Sequence, residues 1–250
     1  MKAISKFFYR PGLVFSLMVV SGISLVACGG GNSSSITTSP TLNLNAAMMS
    51  YIANGSSNQG VISGACQGTI KFTYSPTYSG KTLDGRTAAV VDYTRTDTLA
   101  SSSPPFCSKL YGNDGSKVSK IYYDPTTLLP ITSGSNPQGV VYSNQQSPPS
   151  SVTAGSTGTL FTYLDYAGTT SPVTKGPLTW TVTADSYSTL LFTRTDNAEQ
   201  ASTGTLEYTS SKTYRINADS TLTNLYKVVK AANSITGGLG DLSITETYQQ

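Results

Sequence analysis

From Gly60 onward, apolar and polar residues alternate with a period of two. Cys66, Gly68, Ile70, Phe72 and Tyr74 fall on one side of the chain and Gln67, Thr69, Lys71 and Thr73 on the other, until Pro76 ends the run. This is the pattern of a half-buried strand, because successive side chains of a pleated backbone point to opposite faces. Asp84-Gly85 signals a turn into a second strand at 87–97, where Ala89, Val91 and Tyr93 alternate with Ala88, Val90 and Asp92. Further strands are predicted at 117–123, which a shorter apolar piece at 128–131 follows, and at 157–166, 177–184, 189–196, 203–216, 221–230 and 242–248. In the strand at 177–184, Leu178, Trp180 and Val182 share one face and Thr179, Thr181 and Thr183 the other, which puts Trp180 in the core.

Only residues 42–53 follow a helical spacing. Leu44, Met48, Tyr51 and Ile52 recur on one face, with Thr41 expected as the cap and Asn54-Gly55 as the stop. The stretch 132–151 is rich in Ser, Gly, Asn, Gln and Pro and reads either as a long loop or as a boundary. An internal repeat is one reading of the chain. Thr94-Arg95-Thr96-Asp97 recurs as Thr193-Arg194-Thr195-Asp196, and Tyr122 to Leu128 is echoed by Tyr214 to Leu222. Two duplicated β units with a boundary near 132–151 account for this; chance matching in a threonine-rich chain is the other explanation.

The N-terminus departs from this pattern. Lys2, Lys6 and Arg10 precede an apolar run from Leu13 to Ala27, with no acid among them. That charge asymmetry and run length describe an export signal, since about 20 apolar residues are needed to span a bilayer. The signal takes three of the 16 basic residues, so the remaining chain balances its 13 acids and has no basic stripe for nucleic acid. Leu25-Val26-Ala27-Cys28 resembles the lipobox of bacterial lipoprotein precursors. The resemblance implies cleavage between Ala27 and Cys28 and lipidation of Cys28 by diacylglyceryl and palmitate-type chains, which anchor a protein stably to a membrane. The alternative is an ordinary secretory signal with a chance cysteine. Gly29, rather than Asp, resembles lipoproteins passed on to the outer membrane. Residues 28–40 are a Gly/Ser-rich tether, and 41–250 a single β-rich domain.

With Cys28 committed to lipid, Cys66 and Cys107 form an even pair in an oxidising compartment and are expected to form a disulfide. Two buried free thiols, or a redox pair, are the alternatives. The chain has no histidine, which removes the usual general base, nucleophile activator and transition-metal ligand. No nucleophile elbow or phosphate loop is present. Asp92, Asp97, Asp124, Asp165 and Asp196 are the acids to inspect for a carboxylate-pair hydrolase. Asn113-Asp114-Gly115 and Asn217-Ala218-Asp219 are too short for calcium loops. No catalytic residue, metal site or cofactor is therefore assigned. Arg95 with Asp97 and Arg194 with Asp196 are candidates for a paired polar recognition patch, the plainer reading being exposed ion pairs at strand ends.

The lipobox, Ser63-Gly64-Ala65-Cys66-Gln67-Gly68-Thr69, Cys107, Tyr122-Tyr123-Asp124 with Leu129-Pro130, and Tyr214-Arg215-Ile216 together resemble uncharacterised β-rich lipoproteins of Gram-negative bacteria. That resemblance implies an envelope address and a β architecture, and no activity. The expected fold is all-β and mainly antiparallel, a sandwich or a strongly curved barrel-like sheet, with one short N-terminal helix. The expected role is a non-enzymatic module, held to the membrane through Cys28, that binds an unknown envelope protein or ligand. The alternative is a carrier of a lipid or other apolar molecule, against which stand the polar outward residues of the clearest strands.

Overall fold

The computed structural model describes residues 39–111, 115–133, 139–167 and 169–249; Ala27, Cys28 and the tether up to residue 38 lie outside the described residues. The strands are β1 (Ser56–Gly64), β2 (Gly68–Tyr74), β3 (Tyr78–Lys81), β4 (Thr87–Leu99), β5 (Gly115–Tyr123), β6 (Pro130–Ser133) and β7 (Val140–Ser143). They continue with β8 (Thr157–Asp165), β9 (Thr174–Ala184), β10 (Leu190–Gln200), β11 (Leu206–Ile216), β12 (Leu222–Ala231) and β13 (Leu242–Tyr248). Helix α1 (Leu44–Asn54) precedes them, and α2 (Pro105–Tyr111) lies between β4 and β5.

The protein is all-β, and its strands close into a twelve-stranded antiparallel barrel. Sequential strands pair as hairpins from β4 to β13. The ring is completed where β13 pairs with β1, with Gly60 opposite Tyr248, and where β2 pairs with β4. Strand β3 continues the line of β2 past Ser75-Pro76-Thr77 and pairs only with the first part of β4. Closure removes the exposed edges that an open sheet would present.

Alternation then sorts side chains into lumen and exterior. On β9, Leu178, Trp180 and Val182 are buried inside, while Thr179, Thr181 and Thr183 face out. The outer face is laced by hydroxyl pairs between neighbouring strands, Thr193–Thr213 at 2.9 Å and Thr195–Ser211 at 3.0 Å. Gly158 on β8 sits directly opposite Trp180, and a Cβ there would come within 2.8 Å of the indole. The missing side chain makes room for the ring.

Two apolar clusters fill the lumen, one toward each end. Leu44 and Ala47 of α1, both fully buried, plug the first against Trp180, Phe192 and Ile216. The helix starts at Asn43 and not Thr41, because the Asn43 side chain accepts from Ala46 N at 2.8 Å. Tyr51 ties it to the wall, its hydroxyl accepting from Asn224 Nδ2 and from Ser56 Oγ, each at 2.9 Å. Phe106, Cys107 and Tyr111 of α2 plug the second cluster against Ile70, Phe72 and Ile244. The Cys66–Cys107 disulfide holds α2 to the β1–β2 turn, with Cα atoms 5.8 Å apart. Cys66 itself lies in that turn and not in the strand that its alternation suggests.

Strands β1, β3 and β7 and helix α2 have no counterpart among the predicted elements, β7 falling in the stretch 132–151 read as a loop or boundary, and β6 has only the short apolar piece at 128–131. β1 is Ser-Ser-Asn-Gln-Gly-Val-Ile-Ser-Gly, whose lumenal Asn58 bonds Asn224 at 3.0 Å, so its inner face carries little apolar signal. The three short segments β3, β7 and α2 offer too few residues to establish a period.

Strands β4 and β10, which carry the two Thr-Arg-Thr-Asp segments, stand on opposite sides of the ring. Five strands separate them one way (β5 to β9) and five the other (β11, β12, β13, β1 and β2). The second echo falls on β5 and β11, which are related in the same way. Counted along the chain, the ring takes six strands from β1–β7 (with β3 as an extension of β2) and six from β8–β13.

Candidate functional site

Between the apolar plugs lies a belt of charged side chains. Residues Val91, Tyr93, Arg95 and Asp97 share a face of β4, as do Leu190, Phe192, Arg194 and Asp196 of β10, and in both strands that face is the lumen. Both Arg-Asp pairs are thus mid-barrel and interior, where the sequence reading places them at strand ends on the surface. The reason is that the period of two runs on through the charged residues: the strand stays in phase even though the residue type changes.

The belt divides into a neutralised part and an uncompensated part. Arg95 Nε pairs with Asp97 Oδ2 at 2.8 Å, and both are screened from solvent, with side-chain exposures of 18% and 3%. The Arg95 guanidinium lies over the Tyr111 ring, 5.1 Å from its centroid, which links the belt to α2. Its Nη2 is buried without a hydrogen-bond partner. Lys227 Nζ reaches Glu246 Oε1 at 3.1 Å, and Tyr248 Oη donates to Glu246 Oε2 at 2.6 Å. Burial alone would raise the Glu246 pKa, but Lys227, Tyr248 and Arg95 outweigh it and hold the carboxyl below its usual range.

The uncompensated part sits on β10 and β11. Arg194 is directly opposite Lys212, and Lys212 directly opposite Lys227, so three cations stand side by side on the lumenal face of three strands. Like charges at such positions repel, their Cβ atoms being about 5 Å apart. Glu246 relieves Lys227. Neither Arg194 nor Lys212 has a carboxylate within ion-pairing distance among the described residues. Lys212 is instead surrounded by aromatic faces, with its Nζ 4.2 Å from the Phe72 centroid, 5.2 Å from Tyr214 and 5.3 Å from Tyr248. Burial pushes its pKa down to about 8. Asp196 accepts from Tyr163 Oη at 2.9 Å, and burial raises its pKa despite that bond and the positive charges nearby.

Arg194 and Lys212 keep some accessible surface although protein surrounds them, because they face internal cavities. One cavity, about 220 Å³, is lined by the belt together with Phe72, Tyr74 and Tyr214. A second, about 150 Å³, lies beneath α1, where Met48, Ile52, Leu128, Leu160 and Phe161 make an apolar wall. Tyr74, Arg194 and Tyr214 belong to both walls. Leu128 beside this cavity has φ 51°, uncommon for a residue with a side chain.

The remaining acids singled out from sequence have ordinary duties. Asp92 is outside, paired with Lys120 at 2.7 Å; Asp124 accepts from the backbone of Thr126 and Thr127; Asp165 accepts from Ala167 N. Among the described residues, no group of three or more His, Cys, Asp or Glu side chains is arranged to hold a metal. Lys212, Lys227 and Glu246 went unmarked in the sequence. Continuing the alternation from Tyr214 back to Lys212, and from Ile244 on to Glu246, would have marked two of them as lumenal. No protein-family model matches the chain, and neither a curated protein nor a solved structure is significantly similar to it.

Proposed function

We propose that the protein is a carrier: a lipid-anchored barrel of the bacterial cell envelope, on the outer membrane, that holds a small, partly apolar ligand in its lumen. The observation carrying this reading is the pair of internal cavities that share Tyr74, Arg194 and Tyr214. The polar outward residues, which count against a carrier if the sheet must present two apolar faces, are no obstacle in a closed barrel. Its inward face serves as both core and lining. A cavity of about 150 Å³ with apolar walls takes a benzene-sized group.

The outer wall supports an anchored protein over a spanning one. A lipid-facing barrel carries an apolar band, whereas threonines line the outer face of β9 and β10. Among the described residues, no helix is long and apolar enough to cross a membrane. In this reading the membrane attachment is Cys28, whose acylation rests on the lipobox resemblance. The surface-binding module is less favoured because Arg95, Asp97, Arg194 and Asp196 are enclosed. The carboxylate-pair hydrolase needs one acid held ready to donate a proton. Burial raises the pKa of Asp196 toward that role, but its carboxylate is taken up by the Tyr163 hydroxyl, while Glu246 is held ionised and Asp97 is engaged by Arg95.

Native mass spectrometry of the detergent-extracted protein, followed by denaturation and analysis of released small molecules, tests the carrier. A population heavier by one small molecule is expected. Consistent recovery of an empty monomer overturns it.

A further inference from the structure

We infer that the ligand is a monocarboxylate: its carboxylate lies between Arg194 and Lys212, and an apolar group of about benzene size fills the cavity beneath α1. This rests on the carrier reading and specifies its ligand class.

Three observations converge on it. Arg194 and Lys212 are cross-strand neighbours on the lumenal face, an arrangement that repels unless an anion lies between them. Every other cation of the belt among the described residues has a carboxylate at 3.1 Å or less, so these two are the pair left for an outside anion. Arg194 stands where the charged and apolar cavities meet, and Lys212 faces the charged one. A bound molecule with a charged end and an apolar end would place each in matching surroundings.

The charge balance selects the head group. Arg95 and Lys227 are neutralised by Asp97 and Glu246, which leaves Arg194 and Lys212 against Asp196, whose carboxylate Tyr163 holds. The surplus is one positive charge. A carboxylate matches it, whereas a phosphate monoester brings up to two negative charges and three oxygens into the lumen.

The test uses the full processed protein in detergent, with the fluorescence of its single tryptophan as reporter. Trp180 is suited to this because it lies directly opposite Arg194. The probes are 3-phenylpropanoate, the uncharged 3-phenylpropan-1-ol, and 3-phenylpropyl phosphate. The acid is expected to bind at least about tenfold more tightly than the alcohol, as a charge-assisted contact implies. The phosphate is expected to bind more weakly than the acid. Lys212→Met should abolish the preference for acid over alcohol, and Lys212→Arg should restore it. Near-ultraviolet circular dichroism establishes that each variant is folded, and Arg194→Gln offers an independent route if Lys212→Met is not.

Equal affinity for acid and alcohol, a preference that survives Lys212→Met, or tighter binding of the phosphate overturns the inference and leaves the carrier standing. If no probe binds but extraction releases an uncharged molecule, the carboxylate is overturned and the carrier upheld. If the extracted protein is also empty, both fall.

Discussion

Replacing Lys212 by methionine measures what a buried, uncompensated cation costs the barrel. A drop in pKa from 10.5 to about 8 corresponds to about 3 kcal/mol of disfavoured protonation at pH 7. The ammonium recovers about 1–2 kcal/mol from the faces of Phe72, Tyr214 and Tyr248. Methionine is one atom shorter, fills most of the same aromatic cage and carries no charge. The ligand-free variant should therefore be more stable than the parent by about 1–2 kcal/mol at pH 7. The direction with pH follows from proton binding. The folded Lys212 has the lower pKa, so between about 8 and 10.5 the unfolded chain binds more protons, and stability of the parent rises with pH. Burial raises the pKa of many tyrosines here, which works the other way as pH approaches 10, but parent and variant share that effect. Their difference isolates Lys212, and it should shrink by about 1 kcal/mol between pH 7 and 9. Urea unfolding at both pH values, with the disulfide intact, reads this as a shift in midpoint at constant slope. A variant less stable than the parent at pH 7, or a margin that is the same at pH 9, refutes the reasoning.

Asp97→Asn should destabilise the barrel by about 3–5 kcal/mol, read as a lowered thermal midpoint, because Arg95 keeps its charge in a buried place without its partner. The double variant Cys66→Ser/Cys107→Ser should lose about 4 kcal/mol, from a sequence separation of 41 residues. Its amides in α2 should exchange sooner than those in α1, which that disulfide does not hold. Gly158→Val should displace the Trp180 indole, shift its emission and cost about 1–3 kcal/mol by chemical unfolding.

Much of the barrel was legible residue by residue. Leu178, Trp180 and Val182 show their inward phase at once, because large apolar groups alternate with threonine over consecutive turns of the pleat. The repeat of Thr-Arg-Thr-Asp was visible as well, and its two copies stand on opposite sides of the ring. Its meaning was not. Composition makes an arginine beside an aspartate look like surface, and only the phase inherited from Val91-Tyr93 and Leu190-Phe192 says otherwise. Lys212 was harder still, flanked by Ser210, Ser211 and Thr213 in a strand that reads as polar on both faces.

The sequence by itself determined the period of two, the turns, Cys66 and Cys107 as the candidate disulfide, and the helix that α1 became. These depend on neighbours a few residues apart, whose preferences act before the chain has any shape. Tertiary structure decided that β13 meets β1, that a closed wall therefore encloses a lumen, and that three cations on successive strands share it. Closure is a pairing between the two ends of the sheet, set by strand tilt and register accumulated around the whole ring. No local pattern encodes that sum, so the pocket exists only once the ring is shut.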